Sequence, residues 1–170
     1  MSFLKKKALI LYGSPHKNGY TKKALNSVIS ELNAEYEFEF VDSFTENITP
    51  CNDCGFCKKI NKCIFSDFDK IDKSLRGCHL IIIATPVYNA SFPAPLKAII
   101  DRSQLYFNMK TKLKINPFNQ PKKAILVATC GSNNSHYKEL LLNQLKLFFV
   151  LINAKLCKTV FVDNTDKSLN

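Results

Sequence analysis

Three apolar runs constrain the fold of this chain more than any other feature. Ala8-Leu9-Ile10-Leu11, His79-Leu80-Ile81-Ile82-Ile83-Ala84 and Ala124-Ile125-Leu126-Val127-Ala128 show no alternation of apolar and polar residues. A strand with one wet face alternates, so a run that does not is buried on both faces, as in a parallel sheet covered by helices. Parallel strands need a crossover, usually a helix, between them. The intervening segments supply it. Ala24, Leu25, Val28, Ile29 and Leu32 recur at helical spacing after the turn-rich Gly13–Gly19, which predicts a helix from near Thr21. Phe68, Ile71 and Leu75 mark the inner side of a short helix from about Asp67 to Arg76, and Pro95 stands where a first helical turn accepts proline, ahead of Leu96, Ile99 and Ile100.

Glu35-Tyr36-Glu37-Phe38-Glu39-Phe40 differs, because it alternates strictly, acidic on one face and aromatic on the other. That is the pattern of a half-exposed strand at a sheet edge. A polar, lysine-rich stretch over 106–123 reads as a long loop, a lid or an interface, and is followed later by a helix from about Ser135 to Ile152 and a strand from about Lys155 to Val162. Strands alternating with helices predict an α/β, doubly wound, flavodoxin-like fold: a five-stranded parallel sheet, order 2-1-3-4-5, with helices on both faces. The length suits one domain over residues 1–170. In this order the alternating strand lies at an edge, and ligands bind beyond the carboxyl ends of strands one, three and four.

Cys51, Cys54, Cys57 and Cys63 form the run C-x2-C-x2-C-x5-C inside a cysteine-rich loop at about 43–66. Thiolates so close in sequence can converge on one soft centre. The run resembles the bacterial ferredoxin motif, with a longer last gap and Ile64 in place of the proline that follows the fourth cysteine. Three readings stand: an iron–sulfur cluster, an all-cysteine zinc site, since no histidine lies in the run, or free or redox-active thiols without metal. Cys78, Cys130 and Cys157 sit in or beside apolar strand-like segments and read as small core residues.

The net charge of +10 raises the question of nucleic acid, but the lysines are scattered and Arg76 and Arg102 are the only arginines. Base readout relies on arginine, so no specific nucleic-acid partner is expected. The positive field instead draws in a phosphate-bearing cofactor. The segment Met1–Lys7 is too short and too soon charged for a signal peptide, and no apolar run reaches membrane-spanning length, so a cytoplasmic protein with no membrane partner is expected. An odd number of cysteines without an export signal points to thiols or metal ligands rather than disulfides.

Three loops fall at the predicted strand ends. Gly13-Ser14-Pro15-His16-Lys17-Asn18-Gly19-Tyr20-Thr21 joins a buried strand to a helix through glycine, hydroxyl groups and a helix N-terminus, an arrangement that binds phosphate through backbone N–H groups and the helix dipole. It is neither the glycine fingerprint of dinucleotide sites nor a Walker loop. The second loop runs from Thr85 to Lys97 and the third from Thr129 to Asn134. The first and third alone also read as ordinary turns, and Tyr88 and Phe92 of the second as packing residues. His16, His79 and His136 read as structural or solvated, and no catalytic acid or base is assigned.

Taken together, Gly13-Ser14-Pro15…Gly19-Tyr20-Thr21, Pro50-Cys51…Cys54…Cys57…Cys63 and Thr85-Pro86-Val87-Tyr88…Pro93-Ala94-Pro95-Leu96-Lys97…Asp101-Arg102 resemble the flavodoxin-like NAD(P)H-dependent FMN reductases, and within them the iron–sulfur flavoprotein group. His16 stands where arginine is commoner there, and Tyr20 where asparagine is commoner; backbone donation is unaffected by either. The resemblance implies that Ser14, His16, Tyr20 and Thr21 hold the FMN phosphate. Pro86, Val87, Tyr88 and Asn89 would border the ribityl chain and flavin ring, and Thr129, Gly131 and Ser132 the ring's pyrimidine edge. Cys51, Cys54, Cys57 and Cys63 would be the ligands of a [4Fe–4S] cluster. The function implied is an FMN-dependent oxidoreductase moving electrons from NAD(P)H or a reduced carrier to an acceptor; the alternatives are a flavodoxin-type carrier without turnover and a thiol or metal redox sensor. A homo-oligomer built on a dimer is expected, because a strand-end site leaves the flavin exposed and the loops 43–66 and 106–123 show little core pattern of their own.

Overall fold

A computed structural model describes residues 5–169. Met1–Leu4, part of the segment weighed as a signal peptide, lie outside the described residues. The chain runs β1 (Lys6–Tyr12), α1 (Tyr20–Leu32), β2 (Tyr36–Asp42), α2 (Asp69–Gly77), β3 (Leu80–Pro86), α3 (Ala94–Asp101), α4 (Gln104–Thr111), β4 (Lys122–Thr129), α5 (His136–Leu151) and β5 (Ala154–Val162). All four strand pairings are parallel and the order is β2-β1-β3-β4-β5, as the sequence pattern predicts.

The non-alternating strands are buried on both faces because each contributes to two cores. Successive side chains point to opposite faces of a sheet. Leu9, Leu11, Ile81, Ile83, Leu126 and Ala128 face Ile71, Leu75, Leu96, Ile99, Leu141 and Leu145 of the helices that follow β2, β3 and β4. Ala8, Ile10, Tyr12, Ile82, Ala84, Ile125 and Val127 face Leu25 and Val28 of α1. The edge strands differ: Glu37 and Glu39 of β2 are exposed and β5 is half-buried along most of its length. The aromatic face of β2 is only partly covered. Tyr36 is buried, whereas Phe40 stays 39% exposed, resting on Tyr12 with a 5.3 Å ring separation beneath the Lys22 ammonium.

Two expectations need correction. The stretch 106–123 is no long loop, since its first part lies in α4, whose Leu105, Tyr106, Asn108 and Met109 are buried. Tyr106 meets Phe118 edge-on at 4.8 Å and donates to Asp72 Oδ1 at 2.7 Å, tying α4 to α2. An aromatic and an amide on the inner face break the apolar period from which helices are read. Cys157 is exposed on the edge strand β5, not a core residue, although Cys78 and Cys130 are buried. A register shift at Ala124/Ile125 accompanies it, and the Cys157 thiol donates to Ala124 O at 3.3 Å. A short 3₁₀ turn, Thr165–Leu169, follows β5. Among the described residues no helix is long and apolar enough to cross a membrane.

Candidate functional site

The ends of β1, β3 and β4 open into one cavity of about 520 Å³, within the ~300–1,000 Å³ range of small-molecule sites. Its floor is tightly laced. Gly13 N donates to Ala84 O at 2.7 Å and Val87 N to Thr129 O at 2.8 Å, carrying the sheet's hydrogen bonding past the last strand residues. Gly13 is needed for close approach, because a Cβ there would stand 2.5 Å from Leu96 Cδ2 and 3.0 Å from Leu96 Cβ. Tyr12 donates its hydroxyl to His16 O at 2.7 Å and so fixes the loop's course. Burial raises the pKa of this phenol, which keeps it an un-ionised donor.

Helix α1 starts at this cavity. Gly19 is its extended N-cap, no side chain caps the helix end, and no acidic residue occupies the first turn. Such an end presents backbone N–H groups and the positive end of the dipole. Thr21, in the first turn, is buried and shares a 2.7 Å hydroxyl–hydroxyl bond with Thr129 at the end of β4.

Of the eleven residues assigned to the cofactor from sequence, Ser14, His16, Tyr20, Thr21, Pro86, Val87, Tyr88, Thr129 and Gly131 line the cavity together. Asn89 instead sits in a tight turn with φ of 48°, closed by paired 2.9 Å bonds between Tyr88 and Ser91. Ser132 lies just beyond Gly131, its hydroxyl 3.4 Å from Cys130 Sγ and its carbonyl accepting from Asn134 N and Asn164 N. Gly19 also lines the wall, as do two residues that sequence reasoning missed, Thr165 and Asp166. Thr165 N donates to Cys130 O at 3.1 Å and Asp166 N to Gly131 O at 3.3 Å, folding the turn after β5 back over the β4 end. A Cβ on Gly131 would collide with the Asp166 carboxylate. That glycine is the only sequence trace of the contact.

Cys51, Cys54, Cys57 and Cys63 line a second, much smaller hollow of about 20 Å³ with Arg102, Gln104 and Leu105. All four are free thiols, and among the described residues no three Cys, His, Asp or Glu side chains stand together as a ready ligand group. The loop is held at its base. Arg102 is 2% exposed and donates to Thr49 O at 2.7 Å and Phe65 O at 3.0 Å, and its Nη2 lies 2.9 Å from Asp67 Oδ1. Thr49 precedes the cysteines and Phe65 and Asp67 follow them, so one guanidinium joins both ends of the loop. Burial pushes the Asp67 carboxyl upward, but the Thr49 N–H at 2.7 Å and the Arg102 charge outweigh it and hold its pKa below the ordinary value. At the loop's inner side Asn108, 2% exposed, donates Nδ2–H to Cys57 Sγ at 3.2 Å. The donor set suits a soft metal centre in kind, being four thiols with buried N–H groups and a buried positive charge beside them.

The architecture places this chain among the flavodoxin-like proteins with a strand-end site. Over residues 6–166 it matches the family described as NADPH-dependent FMN reductase. The chain belongs to that family. It is 36% identical over 105 residues to an iron–sulfur flavoprotein of Methanosarcina thermophila, covering 60% of this chain and 54% of that protein. A second iron–sulfur flavoprotein, from Methanocaldococcus jannaschii, is 30% identical over 150 residues, 85% of this chain and 72% of the relative. The match thus spans little more than half of the first relative. Among solved structures, the NAD(P)H:quinone oxidoreductase of Methanothermobacter marburgensis superposes with a TM-score of 0.67 at 12% identity, covering 95% of this chain and 86% of the other; it shows the fold alone.

Proposed function

We propose that the chain binds FMN in the strand-end cavity and serves as an FMN-dependent oxidoreductase, taking electrons from NAD(P)H or a reduced carrier and passing them to an acceptor. The observation that carries this reading is the convergence of three loops on the uncapped start of α1, beside the buried hydroxyls of Thr21 and Thr129. The phosphate is held by Ser14, His16, Tyr20 and Thr21 with the helix-start N–H groups. Pro86, Val87 and Tyr88 flank the ribityl chain and ring, and Thr129 and Gly131 meet the pyrimidine edge, while Asn89 and Ser132 shape these two loops from outside the cavity. A bound flavin would supply the redox chemistry, so the protein's task is placement and hydrogen bonding. Tyr88, 43% exposed at the cavity's rim, is free to lie against the ring and limit water access. A cytoplasmic protein working as a dimer-based homo-oligomer completes the proposal, a partner chain covering the open side of the cavity.

One phosphate site and no pyrophosphate fingerprint favour FMN over FAD. Heat-released flavin identified by mass tests this: FMN is expected, and FAD, or no flavin after reconstitution with excess FMN, overturns it. Rapid oxidation of NADH or NADPH by the pure protein separates a reductase from a carrier without turnover.

The relatives' names and the thiol set support a [4Fe–4S] cluster on Cys51, Cys54, Cys57 and Cys63, a group that supplies one-electron transfer. The loop follows β2, whereas the phosphate site follows β1, so the two are separable. Cys57→Ala is expected to remove all of the roughly four irons per chain found after anaerobic reconstitution and to leave FMN in place. Retained iron, or flavin lost with the iron, contradicts that arrangement.

A further inference from the structure

Asn108 belongs to no part of the cavity at the strand ends, yet it is one of the few buried polar side chains in the molecule and its amide is aimed at a sulfur. We infer that Asn108, with Arg102 behind it, is a positioning residue that sets the reduction potential of the centre held by Cys51, Cys54, Cys57 and Cys63. This rests on the cluster reading above.

A buried amide that gives its N–H to a sulfur rather than to an oxygen needs a reason, since a neutral thiol is a weak acceptor. A thiolate ligand is a far better one, and an N–H group turned toward it is stabilised by the ligand's negative charge. Helix α4 fixes the geometry. Tyr106, two residues earlier, is buried and bonded to Asp72, and Met109 is packed in the core, so the helix cannot roll and the Asn108 amide is held against the loop. The second contribution comes from the corner between α3 and α4. Arg102 also lines the cysteine hollow, and its Nε is buried without a hydrogen-bond partner while its other nitrogens brace the loop ends. A buried guanidinium with a spare N–H beside four sulfurs favours an anionic centre there.

Both groups act in one direction. Reduction adds an electron and makes the centre more negative, so a hydrogen bond to a ligand sulfur and a nearby positive charge stabilise the reduced form more than the oxidised form, and the potential rises. Removing the Asn108 donor lowers it.

The test uses anaerobically reconstituted full-length protein, with iron and sulfide counted first and the potential then read from a titration followed by electron paramagnetic resonance. Asn108→Leu, close in volume and without a donor, is expected to keep its iron and its FMN and to shift the reduced-to-oxidised ratio at least tenfold toward the oxidised form, ~59 mV more negative for a one-electron couple. Asn108→Asp, nearly the same shape but anionic, is expected to shift it further the same way, while Asn108→Gln, which keeps the amide, recovers part of the change. An unchanged potential in iron-replete Asn108→Leu and Asn108→Asp overturns the inference while leaving the cluster reading intact. Wild-type protein that takes up no iron overturns both, and is recognised at the first step. Loss of iron from both variants, with FMN and fold retained, reduces Asn108 to a support of the loop and likewise overturns it.

Discussion

Replacing Thr21 with glutamate is expected to weaken FMN binding by at least about a hundredfold, roughly 2.8 kcal/mol, while leaving the fold in place. Thr21 is 3% exposed in the first turn of α1 and lines the strand-end cavity. A longer side chain there cannot turn inward past Thr129, whose hydroxyl lies 2.7 Å away, so the new carboxylate extends into the cavity. It then occupies the helix start, the place best suited to a phosphate, and sets like charge against like at a cost of several kcal/mol. An acid near a helix N-terminus is itself favourable and offsets part of the lost Thr129 bond, so the apo protein stays folded with a modestly lower melting temperature. Thr21→Ser retains the hydroxyl and is expected to bind within a few-fold of wild type, and Thr21→Val isolates the loss of the Thr129 bond. Fluorescence quenching of added FMN reads all three. Equal affinity in Thr21→Glu and wild type places the phosphate elsewhere.

The sheet was legible because the inner stretches of its three central strands had to be apolar on both faces, and the edge strand β2 because Glu37 and Glu39 had to face water. The loop after β1 was legible as part of the strand-end cavity for a related reason: a turn rich in glycine and hydroxyl groups before a helix leaves its mark in consecutive residues. What escaped was made by contacts between distant segments. Helix α4 was hidden because its inner face carries Tyr106 and Asn108, whose burial depends on Asp72 and Cys57 some way back in the chain. Thr165 and Asp166 reach the cavity only because the turn after β5 bonds to Cys130 and Gly131. No local pattern records such a return. Cys157 misled for the opposite reason: it shares a strand with Leu156, Val160 and Phe161, but β5 is an edge strand and Cys157 is exposed on it.

Arg102→Leu is expected to destabilise the protein by about 3 kcal/mol, the low end for removing one partner of a buried ion pair, and to release the cysteine loop. The low end applies because the Asp67 side chain remains 25% exposed and recovers some hydration. The carbonyls of Thr49 and Phe65 also lose their donor, and the packing of the guanidinium between the rings of Phe65 and Phe68, at 5.5 and 5.1 Å, is lost with it. Leucine fills part of the volume but accepts and donates nothing. Lysine keeps the charge, yet a single ammonium cannot reproduce a planar fork that serves two carbonyls and a carboxylate, so Arg102→Lys falls between. Acid provides an independent check. The folded-state pKa of Asp67 lies below its ordinary value of 3.8, so the stability it contributes is fully present above that value and is lost as pH falls through the folded one. The wild type therefore loses the Arg102–Asp67 attraction on acidification, the variant has none to lose, and the gap between them narrows. Urea unfolding at neutral pH and near pH 3 measures the gap, and hydrogen exchange across residues 49–67 reports the loop. A gap that is absent at neutral pH, or that stays constant into acid, removes Arg102 as the brace. Faster exchange confined to 49–67 with the sheet unchanged locates its action where both ends of the loop meet one side chain.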